Sequence, residues 1–222
     1  MRRTAWVAAA LLSACAAESG DCDNLLSPDA PPWSTGWSGS LNPQWQLDGG
    51  VLTLVKEGGG DISQKVIYGP EFDLRFEYRV SPGGNSGVFY FVRPGVDDPA
   101  YHSGPEFQIL DNQRHADGRS LLTSAGAVYG LYPTNPDASR PAGEWNLGRI
   151  RAIGGQVDHW LNGVKTASYD IESADFKDRV SNSKFSAWRD TFAREPRGAI
   201  VLQDHGDRVS FRNLCMATPR SE

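Results

Sequence analysis

Phe72-Asp73-Leu74-Arg75-Phe76-Glu77-Tyr78-Arg79-Val80 sets five apolar side chains against four charged ones in strict alternation. A period of two places alternate residues on opposite faces of a pleated strand, so one face packs on a core and the other meets water. Shorter runs of the same kind occur at 50–55, 62–67, 87–92, 106–111, 147–153, 156–161, 199–204 and 209–215. Turn formers separate most of them: Asp48-Gly49-Gly50, Pro82-Gly83-Gly84-Asn85 and Leu161-Asn162-Gly163. Asn162-Gly163 supplies the positive φ angles of a two-residue hairpin. The stretch 173–192 departs from this rhythm, since Phe176, Val180, Phe185 and Trp188 fit a loose helical spacing and predict one short helix at the rim. So many antiparallel strands in one domain predict an all-β protein, a two-sheet antiparallel jelly-roll sandwich with one peripheral helix.

Composition agrees with that class. The 222 residues contain 24 Gly and 14 Pro, too many turn formers for a helical bundle, while 39% apolar content is too high for a disordered chain. With 22 Lys+Arg against 27 Asp+Glu the net charge is -5, and no basic run is present, which argues against nucleic acid as a partner. The start, Met1-Arg2-Arg3, leads into an apolar stretch from Ala5 to Leu12 that is too short for the ~20 residues of a membrane span, so 1–14 reads as an export signal. Leu12-Ser13-Ala14-Cys15 resembles the bacterial lipobox, whose cysteine is acylated. Cys15 is therefore the expected lipid anchor, and the expected location is the periplasm or outer membrane of a bacterium. Removal of 1–14 leaves 20 basic and 27 acidic residues and a charge of -7. Residues 15–32 hold Ser, Gly, Asp and three prolines without periodicity and read as a tether, with the folded domain expected over 33–218. Beyond Cys15 only Cys22 and Cys215 remain; in an oxidising compartment they form either a disulfide between the two ends or two buried thiols.

Three segments carry polar residues where a packed strand would not: Gly83–Phe89, Pro105–Asp111 and Gly198–Gly206, the last followed by Phe211-Arg212-Asn213. Glu106 and Gln108 share one face of a strand whose other face carries Phe107 and Ile109, and Gln203 and His205 share a face opposite Leu202. An ordinary solvated face would show Lys, Thr and Ser; these strands show amides and a histidine.

At these residues the chain resembles a known family. The succession Asn85-Ser86-Gly87-Val88-Phe89, then 105–111 (PEFQILD), 124–130 (SAGAVYG), 143–146 (GEWN), 161–163 (LNG) and 201–213 (VLQDHGDRVSFRN) is similar to the bacterial secreted proteins named for 3-keto-disaccharide hydrolase. The likeness runs from about Trp33 to Met216 and implies a concanavalin-like sandwich with a sugar-binding concave sheet, and for some members cleavage of glycosides oxidised to a ketone at carbon 3.

Such a ketone acidifies the hydrogen on carbon 2, so a base can remove it and expel the group on carbon 1, with water adding afterwards. The site then needs a base or acid titrating near neutrality, an electrophile at the developing enolate, and polar groups for the hydroxyls. His205 is the candidate base or acid; its plainer reading is a hydrogen-bonded turn histidine. Glu106 either shares proton transfer or, with His205, binds a divalent cation, the one cofactor these residues suggest. Asp111 assists, and Arg212 either polarises the ketone or pairs with a carboxylate. Asn85, Ser86, Gln108, Tyr129, Asn146 and Gln203 are candidate contacts to sugar hydroxyls, and Trp145 either stacks on a ring or fills the core. His102 and His115 lie on expected loops flanking the Glu106 strand, within reach of the site mouth. The chain has no His-x-x-x-His or Cys-x-x-Cys spacing and no Gly-x-Ser-x-Gly elbow. Gln108 stands where a standard retaining glycosidase on a sandwich would be expected to alternate acids. Two functions follow: an enzyme acting on 3-keto-glycosides, or a noncatalytic carbohydrate-binding lipoprotein using the same sheet.

Overall fold

A computed structural model describes residues 22–37, 39–93 and 99–219. In chain order the strands are β1 Asp23–Asn24, β2 Ser34–Thr35, β3 Trp45–Asp48, β4 Val51–Leu54, β5 Ile62–Ser63, β6 Phe72–Val80, β7 Asn85–Val92, β8 Glu106–Leu110, β9 Asn146–Ile153, β10 Gln156–Leu161, β11 Val164–Asp170, β12 Ala199–Leu202 and β13 Val209–Ala217. The larger sheet runs β11-β10-β9-β6-β13-β4-β3, with β1 pairing the far end of β13; the smaller runs β2-β5-β12-β7-β8. All pairings are antiparallel. The result is the two-sheet sandwich that the alternation predicts.

The inner faces close on each other. On β6, Leu74, Phe76 and Tyr78 are buried, and Phe76 meets Phe107 of the opposite sheet edge-on at 5.3 Å. Leu52, Leu54, Val88, Tyr90, Ile109, Leu202 and Phe211 fill the same layer. His159 lies within it, its Nε2 2.9 Å from the Tyr90 hydroxyl; burial pulls its imidazole down to about 4, so it stays neutral.

One bulge departs from strict alternation. Phe89 pairs with Val201 and Val92 with Ala199, so β7 spends one extra residue there, and Phe91 adopts φ +55°. Tyr90 and Phe91 consequently both join the inner core, while Phe89 and Val92 both turn to the outer face of the smaller sheet, beside Val201, Ala199 and Ala100.

Two boundaries differ from the sequence reading. The folded part begins before Trp33: Asp23 and Asn24 pair with Met216 and Cys215, Leu25 and Leu26 are buried, and a disulfide joins Cys22 to Cys215 with Cα atoms 5.7 Å apart. The prolines of this stretch hide that packing, because without periodicity they read as linker. The run expected over 62–67 pairs only at Ile62–Ser63, because Lys65 turns to φ +60° and the Gln64 amide donates to the carbonyls of Leu25 (2.9 Å) and Pro31 (2.7 Å). The helix α1 covers Ala174–Ser181, capped by the Ser173 hydroxyl accepting from Phe176 N, and a 3-10 turn follows at Ser186–Trp188. Residues 1–14 and Cys15 lie outside the described residues.

Candidate active site

The outer face of the smaller sheet carries the site, in rows set by strand register. Across β12, β7 and β8, Val201, Phe89 and Glu106 lie side by side. One pleat further along, Gly87 pairs with Gln108, and Gln203 N donates to Gly87 O at 3.0 Å. At the strand ends the Asn85 amide nitrogen lies 3.5 Å from His205 Nε2. Glu106, Gln108, Gln203, His205 and Asn85 are thereby gathered on one surface.

Glu106 is its buried centre. Its side chain lies over Gly87, where a Cβ would collide with the carboxyl group. With its amide oriented to suit these neighbours, Gln108 Nε2 donates to Glu106 Oε1 at 3.2 Å and to Ser86 O at 3.1 Å. Burial pushes the Glu106 carboxyl up to about 8; Lys184 pulls the other way, and Asp61 and Asp117 add to the rise. Glu106 therefore holds its proton at neutral pH. Asn85 Oδ1 and Gln203 Oε1, both buried, have no hydrogen-bond partner among the described residues.

Residues from other elements complete the surroundings. Asp61, just before β5, accepts from Asp204 N at 3.0 Å, and burial, with the Asp204 charge, pushes it up to about 6 although that bond opposes the rise. The Tyr129 hydroxyl donates to Asp117 Oδ2 at 2.9 Å, and the Lys184 ammonium sits 3.9 Å above the Tyr129 ring. Burial lowers Lys184, with Glu106 and Asp117 counteracting. The His115 ring is 6.4 Å from that of His205, and its Nδ1 accepts from Asp117 N. Asp61, Asp117 and Lys184 gave no motif in the sequence: they come from a strand start, a 3-10 turn and the segment after α1, and only the fold unites them.

Other candidates have different surroundings. Asp111 is buried and its carboxylate is engaged by backbone, accepting from Gly83 N (2.7 Å) and Gln113 N (3.1 Å), so it clamps the β7 and β8 turns. The Ser86 hydroxyl donates to Gln203 O. Arg212 lies on the outer face of the larger sheet, the opposite side of the sandwich, paired with Glu77 at 2.6 Å and stacked 4.1 Å from the Trp145 ring. Arg79 covers the same ring at 4.8 Å. Asn146, also on the larger sheet, is buried, its Oδ1 accepting from Arg140 N and Asn162 Nδ2. Arg212, Trp145 and Asn146 therefore do not reach Glu106. His102 stacks on Trp188 at 3.8 Å. A divalent cation on Glu106 and His205 needs further donors, and among the described residues no group of three His, Cys, Asp or Glu side chains converges to hold one. The His, Cys, Asp and Glu side chains of the described residues therefore present no complete cation site, and no step below runs through one.

Comparison with known proteins gives the family. A 3-keto-disaccharide hydrolase of Bacteroides thetaiotaomicron is 32% identical, the alignment covering 87% of this chain and 78% of that protein. A crystal structure from Parabacteroides distasonis assigned as a glycosyl hydrolase superposes with a TM-score of 0.76 at 28% identity, over 85% of this chain and 88% of that one. A Bacillus subtilis protein of galectin-like fold, 14% identical with a TM-score of 0.54 over 90% of this chain and 96% of its own, shares the sandwich alone. Residues 31–216 match the 3-keto-alpha-glucoside-1,2-lyase-like domain, and the chain belongs to that family.

Proposed function

We propose that the protein cleaves 3-keto-glycosides by removing the proton on carbon 2, eliminating the group on carbon 1 and adding water to the product. Family membership makes it a hydrolase or lyase of 3-keto sugars. The observation that carries the mechanism is a buried Glu106 that keeps its proton at neutral pH beside two unpartnered amide oxygens, Asn85 Oδ1 and Gln203 Oε1. Such oxygens are costly to bury alone and are satisfied by sugar hydroxyls.

In this reading the pyranose lies over the Gln203, Gly87 and Gln108 row, carbon 2 toward His205 and carbon 1 toward Glu106. His205 takes the carbon-2 proton. The electron pair left behind forms the bond between carbons 1 and 2, the bond from carbon 1 to the leaving oxygen breaks, and Glu106 gives that oxygen its proton. Water then adds: its hydroxyl joins carbon 1, its proton returns to Glu106, and His205 returns a proton to carbon 2. Glycoside plus water becomes 3-keto-sugar plus alcohol. Burial keeps Glu106 protonated; Lys184 works against it, and the negative charges of Asp61 and Asp117 add to it.

Export and attachment to a membrane through an acylated Cys15 belong to the same proposal, which sets the enzyme outside the cytoplasm. The test is incubation of the purified protein with a 3-keto-glucoside in deuterated water. Release of the alcohol with deuterium at carbon 2 of the product is expected, and His205→Ala loses turnover by about a hundredfold or more while keeping its near-UV spectrum. Binding of the sugar without release of alcohol would return the protein to the noncatalytic carbohydrate-binding class.

A further inference from the structure

Beside the acids lies a cavity of 380 Å³ whose lining includes Trp37, Val92, Pro99, Ala100, Val201 and Asp61. Its volume falls within the ~300–1,000 Å³ of small-ligand pockets. Register fixes its relation to the site, because Val201 flanks Phe89 on the same outer row as Glu106. Phe89, Val92, Ala100, Ala199 and Val201 form a separate apolar cluster against which Trp37 packs, on the solvent side of the sheet and apart from the main core. The bulge at Phe91 creates it, by turning Val92 to the same side as Phe89.

The polar side chains of this lining are mostly engaged by the protein. Thr35 Oγ1 donates to Gly59 O at 3.2 Å and accepts from Asn42 N at 3.0 Å. Ser63 Oγ accepts from Lys65 N at 3.0 Å. Asp61 Oδ1 accepts from Asp204 N. A second sugar ring seated here would bury several hydroxyls with few partners, which is costly, whereas an aromatic or alkyl group would lose nothing.

We infer that this cavity is a leaving-group subsite for apolar aglycones, so the preferred substrates are 3-keto-glucosides of phenolic or other apolar alcohols, with disaccharides handled less well. The inference rests on the 3-keto-glycoside reading. In that pose carbon 1 faces Glu106, and the leaving group extends along the row toward Val201.

The experiment compares kcat/KM for 4-nitrophenyl 3-keto-α-glucoside and a 3-keto-glucosyl-glucose disaccharide, and titrates 4-nitrophenol alone onto the full chain. The aryl glucoside is expected to be preferred by about tenfold or more, and Trp37→Ala to shrink that preference by about tenfold. Equal values for the two substrates, or equal losses on both in Trp37→Ala, overturn the inference. If neither glycoside is cleaved, the proposed reaction fails, and the titration still decides the subsite: saturable 4-nitrophenol binding that weakens in Trp37→Ala and in Val201→Asn supports it, and absence of saturable binding to the wild type overturns it. The Val201→Asn arm serves where Trp37→Ala does not fold.

Discussion

Glu106 and Gly87 depend on one another. A methyl group at position 87 meets the Glu106 carboxyl directly, so Gly87→Ala should push the acid off its seat and cost at least tenfold in kcat, about 1.4 kcal/mol of transition-state stabilisation, with little change in KM. The raised carboxyl also has a thermodynamic signature. Glu106 ordinarily titrates at 4.5 and does so at about 8 in the fold, so the native state holds a proton that the unfolded chain has lost. Stability is therefore drained as pH rises from about 4.5 to about 8 and is level beyond that. Glu106→Gln lacks the penalty: its melting temperature should gain on the wild type through that window, and a gap independent of pH would refute the assignment. In activity, kcat/KM should fall on an alkaline limb near pH 8 as the acid ionises, and Glu106→Gln should lose about a hundredfold or more.

At the scale of strands and turns, the two outer faces of the sandwich have separate work. Asp111 fastens the β7 turn to the end of β8 through two backbone amides, so Asp111→Ala should destabilise by about 1–3 kcal/mol in urea unfolding. Arg212→Ala and Trp145→Ala alter a cation–ring stack on the larger sheet and should leave kcat/KM unchanged; a large loss in either would bring that face into the mechanism. The strands that meet water on one side were legible in the sequence, β6 above all, because charge alternation survives wherever one face is exposed. The eight buried residues of β7 show no such alternation, and its bulge at Phe91 could not be read. Glu106 and Gln108 were legible together because they alternate with Phe107 and Ile109 on β8, and Gln203 and His205 because they follow the apolar run of β12 at a spacing of two. Asp61 was not, since an acid after three glycines reads as loop. The same strand logic misread Arg212 and Asn146, because period two tells which residues share a face but not which of two sheets owns it.

For the molecule as a whole, the Cys22–Cys215 bridge closes a loop of 193 residues, nearly the entire folded chain. A chain-entropy estimate puts its contribution at up to about 5 kcal/mol. Cys215→Ser should lower the denaturant midpoint and steepen the slope, because the unbridged unfolded chain exposes more surface, and leave KM intact, because the bridge lies on the larger sheet; a shifted KM would show strain reaching Glu106. The order of the strands has a further consequence. β13, the last strand in the described chain, is an inner strand of the larger sheet, flanked by β6 on one side and by β4 and β1 on the other. The β11-β10-β9-β6 part of that sheet and the β4-β3 part are hydrogen-bonded to one another only through β13, so seating this one strand welds them into a single sheet.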